Sequence, residues 1–393
     1  MKITPDIDEK EARQLLEEMI GINSVNPDLA PGGEGEKALA EYMKEKFESI
    51  GIAAEVVSLG GSRANVVARL LGKQEGKTLM LNGHLDTVGL EGMEGDPLKA
   101  KMEGDRVYGR GAGDMKAGLA AIFLAMKALK EQNLPPQGKV LFTGVADEEY
   151  KSIGTEDAAR KYEADGCIIT EPSHGDIVVA HKGFIWMEID IYGKAAHGSN
   201  PQEGIDAIVK AGKFLTAMED YGKNTLTQRS HPLLGSPSIH ASLIKGGREL
   251  STYPDHCCVS LEIRTLPQEE PEKYQQEIQD LIGRIQKEDP DFKGRAAITF
   301  SRPPMEVDPS EPIVQSMIAG AREAGQKEPS QVGKSGWLDS AILQVAGIPT
   351  VIYGPAGAGY HGAVEYTELS SIVEVAKGLY VAAHDFLGGG SKR

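Results

Sequence analysis

Cysteine and long apolar runs are scarce in this sequence. The three cysteines, Cys167, Cys257 and Cys258, are odd in number and include an adjacent pair, which is no disulfide framework. This count favours a reducing, cytoplasmic location, although secreted bacterial enzymes can also lack disulfides. No run approaches the roughly 20 apolar residues that span a bilayer, and the start shows no apolar signal region. We therefore expect no membrane partner.

Positively charged residues are also too few to balance the acidic ones. The sequence has 42 Lys and Arg residues and 58 Asp and Glu residues, which gives a net charge of -16. This acidity argues against nucleic acid or an anionic membrane as a partner. The apolar share of 40% and the charged share of 25% are typical of a soluble globular protein, and 393 residues favour two domains.

Residues 1–182 and 302–393 are predicted to form one discontinuous domain. Their apolar runs alternate between helices and strands, with strands expected at 78–82, 139–145, 166–170 and 350–353. That order predicts an α/β domain with a largely parallel sheet. The intervening residues 183–301 follow the order β-α-β-β-α-β, which predicts a smaller inserted α+β domain on an antiparallel sheet.

Five acidic or imidazole side chains lie just beyond apolar runs of the larger domain: His84, Asp114, Glu149, Glu171 and His361. Carboxylates and neutral imidazoles are the ligands that hold paired divalent first-row cations. Each residue alone has an ordinary explanation, as a strand end, a helix N-cap or a loop residue. However, all five fall at or beyond the carboxyl ends of predicted strands, where α/β proteins bind ligands. The set therefore predicts a two-metal hydrolase site.

The neighbours of these residues suggest supporting roles. Asp86 stands two residues after His84, so it should face the same side and support the imidazole. Glu148 directly precedes Glu149, so that one carboxylate can ligate metal while the other carries protons. The glycine-rich loop 109–114 superficially resembles a phosphate-binding loop, but its glycine spacing is wrong and its final Asp would repel an anion.

Several stretches together resemble the signature blocks of the M20 peptidases. They are 81–88, 109–118, 147–149, 170–172, 196–199 and 360–362, in the same order as in that family. The family includes acetylornithine deacetylase, succinyl-diaminopimelate desuccinylase, aminoacylases and carboxypeptidase G. The resemblance implies a zinc-peptidase-like, three-layer catalytic domain with an inserted ferredoxin-like domain that serves as a lid or for dimerisation.

The resemblance also implies a metal-binding role for each candidate ligand. Asp114 would bridge two divalent ions, which the resemblance implies to be zinc, although cobalt and manganese suit the same donors. His84 and Glu171 would complete the shell of one ion. Glu149 and His361 would complete the shell of the other. Members of the family commonly have a cis peptide bond after the residue that matches Asp114.

Further roles follow from the same resemblance. Glu148 would be the general base and acid, and Asp86 would orient His84. His197 would reach across a homodimer to the other subunit's site and stabilise the oxyanion. Arg264 would pair with the substrate carboxylate, which its planar guanidinium can grip at two points.

Substrate specificity is the least determined property. Asp339 is retained in the loop 335–339 and is a candidate substrate-binding residue. Trp337, in the same loop, either lines the side-chain pocket or packs in a core. Many family members carry Asn where this chain has Ser251. The resemblance implies di-zinc-dependent removal of the acyl group from an N-acyl amino acid, with a dipeptidase or carboxypeptidase as the alternative. Two other classes of protein are disfavoured. An inactive scaffold would have lost a ligand or the base, whereas all five ligands and Glu148 are present. A nucleotide-binding protein would carry a proper phosphate-loop fingerprint, which this sequence lacks.

Overall fold

The computed structural model describes residues 4–135 and 137–389, and the chain divides into two compact units. The first unit comprises the chain up to Val179, Val307–Val332 and the chain from Leu338 onward. The second comprises Ala180–Glu306 and Gly333–Trp337. Among the described residues, no helix combines the length and the apolar character needed to cross a bilayer.

The secondary structure follows the chain through the first unit, into the second and back. The first part contains α1 Glu9–Ile20, α2 Lys37–Ser49, β1 Ala53–Gly60, β2 Arg63–Leu71, β3 Thr78–His84, β4 Lys101–Glu103, β5 Arg106–Tyr108, α3 Ala117–Glu131, β6 Lys139–Val145, α4 Ile153–Lys161, β7 Gly166–Ile169 and β8 Ile177–His181. The middle part contains β9 Gly183–Tyr192, α5 Ala207–Asn224, β10 Ser238–Gly246, β11 His256–Thr265, α6 Pro271–Glu288, β12 Lys293–Arg302 and β13 Met305–Glu306. The last part contains α7 Pro312–Glu323, β14 Gln331–Lys334, α8 Ser340–Val345, β15 Thr350–Ile352, β16 Gly357–Ala358, β17 Tyr366–Glu368 and α9 Leu369–His384.

The large sheet of the first unit is mixed, in the order β1-β2-β6-β3-β7-β15-β8. Within this order, β6, β3, β7 and β15 pair in parallel, whereas β1, β2 and β6 pair antiparallel, as do β15 and β8. The expectation of a largely parallel sheet is therefore wrong at both ends, whereas the α/β class is confirmed. Strands β1 and β2 are joined by the short turn at Gly61 and Ser62, and strands linked so tightly can pair only antiparallel.

The central strands of this sheet are buried along their length. Every residue of β3 is buried. All residues of β6 after Lys139 are buried too, as its almost continuously apolar sequence predicts for a strand covered on both faces. Phe47 of α2 contacts Phe123 of α3 and Phe142 of β6, at centroid distances of 5.2 Å and 5.1 Å. These contacts hold α2 and α3 against β6, which lies next to β3 in the sheet.

The second unit has the predicted β-α-β-β-α-β order, with an antiparallel sheet arranged β10-β11-β9-β12. Side chains alternate along β9. The odd-numbered residues from Ile185 to Ile191 pack in one core with α5 and α6, through side chains such as Phe214 and Tyr274. The even-numbered residues of β9 therefore point to the opposite, open face of the sheet.

Candidate metal centre

The five predicted ligands meet in two groups that share Asp114. In one group, His84 Nε2 lies 3.0 Å from Asp114 Oδ1 and 3.4 Å from Glu171 Oε1. In the other, His361 Nε2 lies 3.3 Å from Asp114 Oδ2 and 3.0 Å from Glu149 Oε2. Within each group, the potential ligand atoms lie within 4.8 Å of one another. The two oxygens of Asp114 thus face different imidazoles, as a bridging carboxylate requires.

Strand order explains how three of these residues come together. His84 is the last residue of β3, Glu149 follows β6 and Glu171 follows β7. Because β6, β3 and β7 are parallel neighbours, their carboxyl ends meet at one edge of the sheet. Asp114 and His361 arrive on loops that follow the short strands β5 and β16. The peptide bond from Asp114 to Met115 is cis, as the resemblance implies.

The tautomer of His84 suits a metal ligand. Its Nδ1 lies 2.9 Å from the backbone carbonyl oxygen of Asp86. A carbonyl can only accept a hydrogen bond, so Nδ1 carries a proton and the neutral ring has its lone pair on Nε2, where it can ligate a cation. The nearest carboxylate oxygen of Asp86 is farther from Nδ1, at 3.6 Å. The main chain of Asp86, more closely than its side chain, orients His84.

The carboxylate of Asp86 instead holds the loop that carries the two adjacent glutamates. It accepts hydrogen bonds from the backbone N–H groups of Glu148 and Glu149, at 3.1 Å and 3.2 Å. Asn26 Nδ2 donates to the same carboxylate at 2.8 Å and to Asp147 at 2.9 Å. Asp86 therefore supports both the ligand Glu149 and the neighbouring Glu148 through their backbone.

A buried ion network extends this support behind the site. Arg63 donates to Asp147 at 2.7 Å and to both oxygens of Glu36 at 2.9 Å. Arg63 is 7% exposed, Asp147 1% and Glu36 0%, so each charge depends on its partner for neutralisation. Sequence patterns indicated neither Arg63 nor Asn26, because nothing in the local sequence marks a partner so far along the chain.

A further unpredicted residue, Glu365, holds the loop that presents Asp114. Its Oε1 accepts the N–H groups of Gly113 and Asp114, both at 3.0 Å. Its Oε2 accepts from Gly111 N at 3.1 Å and from Arg110 Nη1 at 2.8 Å. Glu365 is 1% exposed and Arg110 2%, so this carboxylate neutralises a buried guanidinium while it fixes the loop. The only sequence signal for Glu365 is its place four residues after His361.

We expect Glu365→Gln to weaken metal binding by roughly 10- to 100-fold, the usual cost of losing an outer partner of a ligand. The glutamine amide would direct N–H groups at Arg110 and Gly111, which are themselves donors. Competition with a chelating dye, well below the unfolding temperature, measures the effect. Tyr380→Phe is the control, since it removes a half-buried hydrogen bond to Gln132 away from the ligand loops. A folded Glu365→Gln protein with unchanged metal affinity would contradict the role.

Burial and repulsion between carboxylates raise the pKa values of Glu148 and Asp339, two acids near the candidate ligands. Burial raises the pKa of Glu148 well above its usual value, and the charges of Glu171 and Asp339 raise it further. Burial also raises the pKa of Asp339 to about 6, although Asp339 accepts a hydrogen bond from Thr155. Asp339 thus lies close enough to influence Glu148, and a contact of this buried side chain with substrate stays a prediction.

The imidazoles carry the balancing charge. Burial lowers the pKa of His84, but Glu171, Asp114 and Asp86 outweigh burial and raise it well above its usual value. Hydrogen bonds with Asp114 and Glu149 raise the pKa of His361 to about 10. Protons on these imidazoles offset the buried carboxylates, and divalent cations would take over that function because a ligating imidazole must be neutral. The donor set therefore fits two such cations.

The other predicted residues lie in the second unit. His197 is exposed, and its Nδ1 accepts a hydrogen bond from the backbone N–H of Ser199 at 3.2 Å. Arg264 Nε pairs with Glu262 at 2.7 Å. Trp337 is half-buried and donates from its indole to the carbonyl of Pro303 at 3.0 Å.

Comparisons with known proteins give a consistent result. Residues 80–385 match the profile of peptidase family M20/M25/M40. A probable succinyl-diaminopimelate desuccinylase from Staphylococcus aureus MRSA252 is 28% identical over 305 residues, which covers 70% of this chain and 73% of that protein. The N-formyl-4-amino-5-aminomethyl-2-methylpyrimidine deformylase of Bacillus subtilis 168 is 27% identical over 380 residues, with coverage of 88% and 89%. The crystal structure of a tripeptidase from Staphylococcus aureus superimposes with a TM-score of 0.79 at 23% identity, covering 97% of this chain and 99% of that one.

Proposed function

Because this chain belongs to peptidase family M20/M25/M40 and is therefore a metal-dependent hydrolase, we propose that it removes the acyl group from an N-acyl amino acid. The observation that carries this proposal is the pair of ligand groups that share Asp114. Two relatives are named for removing a succinyl and a formyl group, which supports deacylation over peptide cleavage.

We propose that two zinc ions occupy the site, one held by His84, Asp114 and Glu171 and the other by Asp114, Glu149 and His361. Imidazole nitrogens and carboxylate oxygens suit zinc, and cobalt or manganese can take the same donors. When bound, such a pair supplies Lewis-acid polarisation of the amide carbonyl and a water of lowered pKa.

Glu148 is the proposed general base and acid. It directly precedes Glu149, and the hydrogen bond from its backbone N–H to Asp86 fixes its position beside that ligand. Glu148 would take a proton from the attacking water as the water oxygen bonds to the carbonyl carbon. It would return that proton to the amine nitrogen as the C–N bond breaks.

Two residues of the second unit complete the proposed reaction. Because Nδ1 of His197 accepts the N–H of Ser199, Nε2 carries the ring proton in the neutral form. Nε2 is then a donor that can stabilise an oxyanion. The guanidinium of Arg264 is the proposed partner of the substrate carboxylate, since its planar fork matches that group.

We further propose a homodimer formed through the second unit, which would allow His197 to act on the partner's site. Strand β10 is an edge of its sheet and exposes Leu243 by 58% and Ile244 by 53%. An exposed apolar edge strand is suited to pairing with another chain. Sedimentation of the purified protein measures this directly, and a monomer at micromolar concentration would contradict it.

A cytoplasmic location is also proposed. Cys167, Cys257 and Cys258 are all free thiols, and the first two are buried. Reducing compartments maintain cysteines in this state. Cell fractionation that recovers the protein outside the cytoplasm would contradict this location.

The substrate proposal is tested with acetyl-, succinyl- and formyl-amino acids beside dipeptides. We expect hydrolysis of at least one acyl amino acid, its loss in chelator and its recovery on adding zinc or cobalt. Faster hydrolysis of dipeptides would favour the alternative, an M20 dipeptidase or carboxypeptidase. Turnover that survives thorough chelation would overturn the metal-dependent mechanism.

A further inference from the structure

Half-buried and exposed aromatic rings are concentrated at one end of the open face of the second unit's sheet. Phe184 and Trp186 of β9, Phe300 of β12 and Trp337 form a cluster that we name the aromatic patch. The ring centroids of Trp186 lie 5.3 Å from Phe184 and 5.4 Å from Phe300, and Trp337 lies 5.9 Å from Phe184. Aromatic residues are only 6% of the chain, yet both of its tryptophans belong to this patch.

The patch is exposed because of the strand alternation. Phe184 and Trp186 are even-numbered residues of β9 and point away from the core, and Trp186 is 45% exposed. The indole N–H of Trp186 donates to Glu262 at 3.1 Å, which fixes the ring while leaving its surface accessible. Large rings held in place at the surface supply contact area at little cost in conformational entropy, as binding sites require.

Two arginines flank the rings. In the sheet register, Phe184 lies opposite Arg264 of β11 on one side and Arg302 of β12 on the other. The Arg264 guanidinium carbon is 5.5 Å from the Phe184 centroid, and that of Arg302 is 5.1 Å from the Phe300 centroid. Glu262 pairs with Nε of Arg264 at 2.7 Å, and the two terminal nitrogens of a guanidinium can also grip a carboxylate at two points.

Charges of both signs lie along the open face. Beyond Trp186, β9 presents Glu188 and then Asp190, and Arg295 of β12 lies opposite Asp190. At the end with the rings, Phe184 lies between Arg264 and Arg302. A cavity of about 380 Å³ adjoins Trp186, and its lining includes Leu243, Ser260 and the acidic residues Glu188 and Glu262. Its volume falls within the range of small-molecule sites. A ligand whose ring lies beside Trp186 would have its carboxylate repelled by Glu188 and attracted to Arg264 and Arg302 beside Phe184.

We propose that the aromatic patch binds a small molecule that carries an aromatic ring close to a carboxylate. N-acyl aromatic amino acids have both groups and are then the substrate class of this enzyme. The statement about substrates rests on the proposed function, whereas binding of a ring and a carboxylate needs neither hydrolysis nor a particular metal.

The probe for this binding is 3-phenylpropanoate, which has a ring and a carboxylate but no amide to cleave. Both tryptophans lie in the patch, so intrinsic fluorescence of the full-length protein reports occupancy. We expect a saturable change, with affinity about tenfold higher than for hexanoate, which lacks the ring, or for 3-phenylpropanamide, which lacks the charge. Equal affinity for the three probes, or no fluorescence response, would overturn the proposal.

A matched pair of variants locates the site on the sheet. Trp186→Leu should weaken binding of 3-phenylpropanoate about tenfold by calorimetry, because it removes a ring from the patch. Tyr192→Leu should leave it unchanged, although Tyr192 is on the same face of the same strand and is 44% exposed. Equal weakening by both changes would place the site elsewhere. Thermal unfolding curves confirm that both variants are folded.

Comparison with turnover separates this inference from the proposed function. If 3-phenylpropanoate binds as expected but no acyl amino acid is hydrolysed, the proposed function fails and the binding site stands. If acyl amino acids are hydrolysed but 3-phenylpropanoate binds no better than hexanoate, the enzyme stands and the aromatic patch does not select its substrates.

Discussion

Replacing Glu148 by glutamine is expected to lower kcat by roughly 10²- to 10⁴-fold, the range that a general acid–base contributes. Glutamine has the same shape and keeps the backbone hydrogen bond to Asp86, but it cannot accept a proton from water. Metal content should remain unchanged, because Glu148 belongs to neither ligand group. Steady-state kinetics and elemental analysis on one preparation measure both quantities.

Glu149→Gln is the matched control, since it alters the adjacent carboxylate that does belong to a ligand group. It should lose metal together with activity, and added zinc should restore part of the activity. Undiminished turnover in the Glu148→Gln protein would remove Glu148 from the proposed role. Loss of metal in step with activity would instead make Glu148 a ligand.

The Glu148 variant also tests whether a site is shared between subunits. Neither Glu148→Gln nor His197→Ala homodimers should have normal activity. If His197 acts in trans, heterodimers formed by mixing the two carry one site with both groups intact. Activity should then rise on mixing, and the absence of any rise would contradict a shared site.

The second large effect is expected for Asp114→Asn, which should reduce bound metal at both positions and bring turnover to background. The two carboxylate oxygens of Asp114 lie 3.0 Å from His84 Nε2 and 3.3 Å from His361 Nε2. Asparagine keeps one oxygen and replaces the other with an amino group that cannot ligate a cation. Metal analysis after dialysis against trace zinc measures the loss.

Glu171→Gln provides the comparison for this effect, because Glu171 belongs to only one of the two ligand groups. It should lose one ion more readily than the other, whereas Asp114→Asn should lose both. An Asp114→Asn protein that retains two ions per chain would refute the bridging role.

The sequence was sufficient for the central part of the fold. The run that becomes β6 is almost continuously apolar, and such a run is typical of a strand buried on both faces. The alternation in β9 likewise predicted a strand with one covered and one open face. Strands β4, β5, β16 and β17 form a further sheet that was not predicted, because two or three residues show no readable periodicity.

The chain by itself determined which donor types follow which strands, because side-chain chemistry and local periodicity are written in neighbouring residues. Only the tertiary structure decided which groups hold those donors in place. Glu365 accepts a hydrogen bond from the backbone N–H of Asp114, which is 251 residues away in the sequence, and Arg63 donates to Asp147, which is 84 residues away. A buried charge takes its partner from whatever the folded chain brings within hydrogen-bonding distance, and no local pattern encodes that choice.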